Sequence, residues 1–169
     1  MSSQVPDPST PPRESIMRHR YVPFHLPDPS TEVGKSIASK LHNELFVWLT
    51  TIDEKGTPHS LPVAFLWDEM QETLLIYSAG ESERERLANI RQNPRVGLHF
   101  DMSGDLVVMT GEASVSADDP PSNQVPGWVE KYQGFFTRIG MTMQQAAAAA
   151  PVALRVRPLM LRYTPNPVR

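Results

Sequence analysis

The chain has 169 residues, 40% of them hydrophobic, which is enough for one domain with a core but short for two. Its 16 lysines and arginines are outnumbered by 19 acidic residues, so the basic surface of a nucleic-acid-binding protein is not favoured. It contains no cysteine, which excludes disulfides, thiolate zinc sites and thiol nucleophiles. No apolar run approaches the roughly 20 residues that span a bilayer and no signal-peptide core is present, which predicts a cytoplasmic protein without a membrane partner.

The amino-terminal segment is rich in proline, with seven of the 17 prolines in the first 30 residues. Proline lacks a backbone N–H and fixes one torsion, so we expect residues 1–29 to form an extended arm and residues 30–169 a single domain. In the arm, Arg18 and Arg20 alternate with Tyr21 and Phe24. This pattern indicates either a solvated arm or a grip for an acidic tail or a partner subunit.

The remaining chain predicts mainly strands. A helix is expected over residues 28–43, with Asp28 as its cap, and strands follow over residues 45–52, 59–67 and 73–77. After a second helix, strands are expected over residues 96–100, 106–115 and 152–163, the last preceded by a helix from about Thr142 to Ala150 that Pro151 ends. Short turns and one interrupting helix favour a mainly β fold with flanking helices, a six-stranded antiparallel barrel.

The segment after the third strand contains a candidate anion site. The small residues 78–80 leave backbone amides accessible, and Ser82 with Glu85 matches the capping box that begins a helix. Arg84 and Arg91 lie on one face of that helix. Free amides, a hydroxyl, a helix amino terminus and a guanidinium together form a phosphate cradle. The alternative is a solvated helix, stabilised by pairs between these arginines and the interleaved glutamates.

Histidine and tryptophan give weaker signals. His42, His59 and His99 have no spacing typical of a metal site, so no metal is expected. Trp128, together with Lys131 and its neighbour Tyr132, either packs a helix onto the sheet or lies at the mouth of a groove. Helix packing is the favoured interpretation.

The order of these pieces resembles the split β-barrel family of pyridoxamine-5'-phosphate-oxidase-like proteins, which bind flavins or deazaflavins. The resemblance covers about residues 40–115, through the hairpin GTPHSLPVAFLWD, the strand LLIYS and the helix RLANIRQNPRVGLHFD. The later segments GWVEKYQGFF and PVALRVRPLMLRY are similar to a subgroup of reductases that use the deazaflavin coenzyme F420. The resemblance therefore implies a split barrel that forms a homodimer, with a planar ring in the groove between the barrels.

The resemblance also implies which residues hold the cofactor. Its phosphate would lie at Ser78 and Ala79, with Arg86 where the family usually has lysine. Arg84 is an alternative ligand, because the turn before the helix is longer here than in relatives, and Arg91 lies further along the helix. The second strand would line the ring with Ser60, Leu61, Pro62 and Val63.

The function implied is that of an oxidoreductase that binds coenzyme F420, or alternatively FMN, and transfers hydride to a small unsaturated substrate. No catalytic residue is assigned, since the cofactor supplies the chemistry. An FMN-binding relative of pyridoxamine-phosphate oxidase and a non-catalytic cofactor- or ligand-binding dimer remain alternatives. Arg18 and Arg20, or Arg155 and Arg157, are candidates to receive the acidic tail of the deazaflavin.

Overall fold

Six segments form antiparallel strands in the computed structural model. The structure describes residues 24–80, 84–100 and 104–165, and within these ranges Arg84 is described by its backbone alone. The strands are β1 (Phe46–Ile52), β2 (Pro58–Asp68), β3 (Thr73–Ser78), β4 (Arg95–His99), β5 (Leu106–Ser116) and β6 (Val152–Thr164). They close into a barrel in the order β1-β2-β3-β6-β5-β4. Each predicted strand is confirmed to within one residue at either end, and the predicted six-stranded barrel is confirmed with it.

Four α-helices flank the barrel in the described part of the chain: α1 (Glu32–Asn43), α2 (Arg84–Gln92), α3 (Pro126–Arg138) and α4 (Met143–Ala149). A short 3-10 helix, Ser122–Gln124, lies just before α3. The prediction that Asp28 caps α1 was wrong, because the hydroxyl of Thr31 accepts the N–H of Gly34 at 3.0 Å. Asp28 instead accepts the N–H of Ser30 and stabilises the turn before the cap. The predicted start of α4 is confirmed, with Thr142 and Gln145 forming a capping box.

The core fills the barrel interior and continues beneath α1. Phe65 and Phe100 meet edge to face inside the barrel, with ring centroids 5.5 Å apart. Ile37 of α1 is 1% exposed and belongs to the same core. Phe24 also packs on this core, with its ring 6.2 Å from that of Trp67. Residues 1–23, including Arg18 and Arg20, lie outside the described residues.

The helix α3 covers the outer face of β3 through aromatic contacts. Trp128 is 2% exposed, and its ring lies 4.8 Å from that of Tyr77 and 4.6 Å from that of Tyr132. Helix packing is therefore confirmed as the role of Trp128. The hydroxyl of Tyr132 lies 2.7 Å from the carbonyl oxygen of Leu45 and 2.8 Å from both the nitrogen and the oxygen of Phe65. This hydroxyl joins α3 to the start of β1 and the middle of β2.

Replacing Tyr132 by phenylalanine is expected to lower the free energy of unfolding by about 2 kcal/mol, because the buried N–H of Phe65 loses its acceptor. The carbonyl oxygen of Phe65 keeps a donor, since Nζ of Lys131 lies 3.0 Å from it. Urea denaturation followed by circular dichroism measures the loss. Thr137→Val is the matched control, since it removes an exposed hydroxyl from the same helix and should change stability by less than about 0.5 kcal/mol. A Tyr132→Phe protein as stable as the control would contradict the assigned role.

A second polar cluster joins three segments near the end of β2. The guanidinium of Arg155 on β6 donates to Asp119 at 2.8 Å, to Asp68 at 2.7 Å and to Thr73 at 3.0 Å. The side chain of Arg155 is only 17% exposed, so these bonds are partly shielded from water. The cluster ties the turn between β2 and β3 to the segment after β5.

Within the described residues, we found no helix long and apolar enough to cross a membrane.

Candidate functional site

The strand β2 has one unpaired edge. Its first half pairs with β1, from Pro58 opposite Ile52 to Ala64 opposite Phe46. Its pairing with β3 begins only at Phe65. Between the described residues 58 and 64, β2 therefore has a strand neighbour on one side alone, and the barrel is split there.

The backbone direction along this edge follows from the contacts of Phe65. Both main-chain groups of Phe65 bond to Tyr132, which also reaches Leu45 just before β1. In an antiparallel strand the two groups of one residue point to the same side, and successive residues alternate. The main-chain groups of Ser60 and Pro62 consequently face the open edge. Proline is tolerated mid-strand at such a position, because its missing N–H costs no ladder bond.

The corner at the end of β3 contains a buried positive charge. Ser78 is 1% exposed and Arg86 of α2 is 8% exposed, and Nη1 of Arg86 donates to the hydroxyl of Ser78 at 3.4 Å. The next two residues are small, since Ala79 has only a methyl group and Gly80 has no side chain. Because arginine remains protonated throughout the physiological range, this corner has a permanent cation beside a hydroxyl and small residues. That combination suits a phosphate.

The position of Arg86 is set by the packing of α2. Leu87 and Ile90 are 5% and 3% exposed and belong to the barrel core. Asn89, on the same buried face, donates to the hydroxyl of Thr51 on β1 at 3.2 Å. Asn89 and Thr51 were not predicted as partners from the sequence, although a polar residue between the apolar Leu87 and Ile90 of a helix indicates a hydrogen-bond partner in the core.

The predicted ligands differ in where the structure places them. Arg86 and Ser78 are brought together, whereas Arg91 lies exposed in the last turn of α2, five residues and about 7.5 Å further along the helix axis. The side chain of Arg84 and the capping residue Ser82 lie outside the described residues. The choice between Arg84 and Arg86 as phosphate ligand therefore stays a prediction, for which only Arg86 has a described contact.

The predicted ring-lining residues lie along the split. Ser60, Leu61 and Pro62 are exposed and Val63 is buried. Leu61 is 49% exposed and stands opposite the buried Leu49. A flat molecule at the open edge of β2 would thus meet an apolar side chain and main-chain polar groups together.

Two other arginines considered in the sequence are engaged elsewhere. Arg155 binds Asp119 and Asp68, and Arg157 binds Glu112 at 2.6 Å. Both arginines therefore have carboxylate partners within the chain, and their assignment to the acidic tail of a cofactor stays a prediction.

The histidines of the described chain are dispersed. His99 is exposed on the outer face of β4, opposite Trp48. His42 contacts Glu69 at 3.0 Å and His59 contacts Asp53 at 3.1 Å. In residues 24–80, 84–100 and 104–165, no three His, Cys, Asp or Glu side chains are grouped as a metal ion would require.

Comparison with solved structures finds the same fold. An F420 reductase superimposes with a TM-score of 0.53 at 22% identity, covering 73% of this chain and 94% of that one. A Listeria innocua protein provisionally assigned as a pyridoxamine 5'-phosphate oxidase gives a TM-score of 0.55 at 21% identity, with coverage of 76% and 95%. A conserved hypothetical protein of Mycobacterium tuberculosis gives 0.60 at 17% identity, with coverage of 78% and 83%. At these identities the likeness concerns the fold alone.

No curated protein matches this chain. The sequence model of one family, described as pyridoxamine 5'-phosphate oxidase, matches residues 33–164, from the first turn of α1 to the end of β6. Together with the six-stranded barrel, this match confirms the resemblance seen in the sequence. The chain belongs to the pyridoxamine 5'-phosphate oxidase family.

Proposed function

We propose that this protein is an oxidoreductase that binds a phosphate-bearing flavin-type cofactor at the split edge of the barrel. Coenzyme F420 is the first candidate and FMN the alternative, and the substrate is a small unsaturated molecule that receives hydride. The observation that supports this most is the buried guanidinium of Arg86 beside Ser78. The family match and the presence of an F420 reductase among proteins of the same fold support the cofactor class.

The residues of the corner and the edge have separate tasks in this proposal. Arg86 and the hydroxyl of Ser78 hold the phosphate, since a guanidinium binds phosphate oxygens by charge-assisted hydrogen bonds. The main-chain groups of Ser60 and Pro62 meet the polar rim of the ring, and Leu61 shields one of its faces from water. The bound cofactor would supply the hydride chemistry. The main task of the chain is therefore to orient the cofactor ring and to shield it from water, and proton transfer by side chains is less important.

The outer face of β1 favours a homodimer. In such a dimer a second barrel would lie beside the groove. Phe46 and Trp48 are 40% and 50% exposed on this face, and the exposed Pro62 stands opposite Trp48 on β2. Exposed aromatic side chains grouped on one face are typical of an interface with another protein. Because this face adjoins the open edge of β2, a second copy seated here would close the groove from outside.

Replacing Trp48 by lysine is expected to shift the protein from dimer to monomer, raising the dimer dissociation constant at least about 30-fold, because a buried aromatic anchor is lost and a charge is desolvated. Sedimentation equilibrium over a concentration series measures this. Met70→Lys is the matched control, because Met70 is 97% exposed in the turn between β2 and β3. A Trp48→Lys protein that associates as strongly as the control would contradict the proposed interface.

Titration with the two cofactors tests the proposed function. The purified protein is titrated separately with coenzyme F420 and with FMN, and cofactor fluorescence reports binding. Micromolar affinity for either supports a cofactor site, and the tighter ligand decides between the two candidates. Turnover of the reduced cofactor with unsaturated substrates then separates an enzyme from a non-catalytic binder. If neither cofactor binds at concentrations up to about 100 μM, the proposal is refuted.

A further inference from the structure

His59 lies between two carboxylates that come from different elements. Its Nε2 is 3.1 Å from an oxygen of Asp53, in the turn between β1 and β2, and its Nδ1 is 3.6 Å from an oxygen of Glu85, in the first turn of α2. The residue opposite it on β1 is the uncharged Thr51. Asp53 and Glu85 are thus the charged groups that face His59 in the described part of the chain.

The two carboxylates differ in what they contribute. Asp53 also accepts the N–H groups of Lys55 and Thr57, and its pKa is lowered to about 2 by the backbone bond from Thr57 and by His59. It therefore stays ionised and fixes one side of the ring. Glu85 is a side chain on the helix itself, so its contact with His59 connects α2 to β2.

This contact lies next to the proposed phosphate ligand. Glu85 directly precedes Arg86 in α2, and His59 directly precedes Ser60 at the open edge of β2. A glutamate beside an arginine weakens the binding of an anion by that arginine, because the carboxylate of the glutamate repels the anion. A neutral His59 that donates to Asp53 presents a bare Nδ1 to Glu85, whereas a protonated His59 has an N–H on both nitrogens. Its positive charge then attracts the Glu85 carboxylate across the 3.6 Å contact.

We propose that protonation of His59 neutralises Glu85 and secures the first turn of α2 to β2, so that the corner binds a phosphate more tightly as pH falls. This regulation rests on the proposed function, because it concerns the same corner. Histidine is the side chain whose charge ordinarily changes between about pH 5 and 8. His59 is here a positioning residue that acts through Glu85.

FMN titrations of four proteins at pH 6.0 and 8.5 test this inference: wild type, His59→Gln, Glu85→Gln and the double variant. The titration of the FMN phosphate itself is common to all four and cancels in the ratios. At pH 6.0, His59→Gln should raise the dissociation constant about threefold, in keeping with a partly exposed ion pair. At pH 8.5 the ratio should approach one. In the Glu85→Gln background, the effect at pH 6.0 should fall by at least half.

The ligand-free protein gives a second readout. At pH 6.0 the losses in urea midpoint caused by His59→Gln and Glu85→Gln should be non-additive, because either substitution alone breaks the ion pair between the two residues. At pH 8.5 His59 is neutral in this proposal, so no ion pair is present and the two losses should be additive. An equal effect of His59→Gln at both pH values, or in both backgrounds, would overturn the inference. FMN binding that Arg86 controls but His59 does not would refute this inference alone. Failure of both FMN and coenzyme F420 to bind would refute the proposed function as well.

Discussion

Replacement of Arg86 by glutamine is expected to weaken the binding of FMN or coenzyme F420 by about 100-fold, or roughly 2.7 kcal/mol. The reason is that Arg86 is 8% exposed, so its charge acts on an anion through a medium of lower dielectric than water. Equilibrium titration by cofactor fluorescence measures the change. Arg86→Lys keeps the charge but loses the planar fork, and we expect it to recover part of the affinity.

The comparison with Arg91 shows whether the position or merely the charge matters. Arg91 lies on the same helix but is exposed, and exposed charges are screened by water and salt. Arg91→Gln should therefore change the affinity by no more than about threefold. Equal losses for Arg86→Gln and Arg91→Gln, with both proteins folded by circular dichroism, would contradict the assignment of the corner as the phosphate site.

Replacement of Arg155 by leucine is expected to lower the free energy of unfolding at pH 7 by about 3 kcal/mol. The substitution leaves Asp119 and Asp68, whose side chains are 12% and 25% exposed, without the cation that binds both. Removal of one member of a shielded ion pair costs about 3–5 kcal/mol, more than the pair itself contributes, and partial exposure places this case at the lower end. Urea denaturation measures the loss.

The pH dependence of this loss has a defined sign. The hydrogen bond from Arg155 lowers the pKa of Asp119, and the pKa of Asp68 is also lowered, although burial acts in the opposite direction. A carboxylate with a lowered pKa in the folded state stabilises the fold above its unfolded pKa of about 3.9, and that stability is lost as pH falls through the folded value. The difference between wild type and Arg155→Leu should therefore be full at pH 6–7 and shrink below about pH 4.

Arg157→Leu is the matched control for this prediction. Arg157 lies two residues along the same strand and pairs with Glu112, but its side chain is 62% exposed. Exposed pairs contribute between zero and about 1 kcal/mol. A loss in Arg155→Leu no larger than in the control, or a difference that grows in acid, would show that the cluster does not stabilise the fold in this way.

The barrel was predictable because its strands have strong local signals. The aromatic and β-branched run before the turn at Asp53, and the turns at Gly56 and Gly104, mark the strand ends in the sequence itself. The start of α1 was predicted too early, since both Asp28 and Thr31 are suitable caps and only the bond to Gly34 decides between them. Local preference limits the choice of cap, and the packed structure settles it.

The site was only partly predictable, because its residues meet through tertiary contacts. The small-residue corner and the arginine-rich helix are visible in the sequence, but which arginine turns inward depends on how Leu87 and Ile90 seat α2 in the core. The contacts of Asn89 with Thr51 and of His59 with Glu85 join residues from different elements. No local pattern specifies these pairings, so the sequence alone indicated neither.

The most direct test of the central claim is a crystal structure of the protein with the tighter of FMN and coenzyme F420 bound. The account predicts the cofactor phosphate within about 3 Å of the Arg86 guanidinium and the Ser78 hydroxyl, with the ring along residues 60–63 of β2. A phosphate bound elsewhere, with the Arg86 guanidinium bonded only to groups of its own chain, would contradict it.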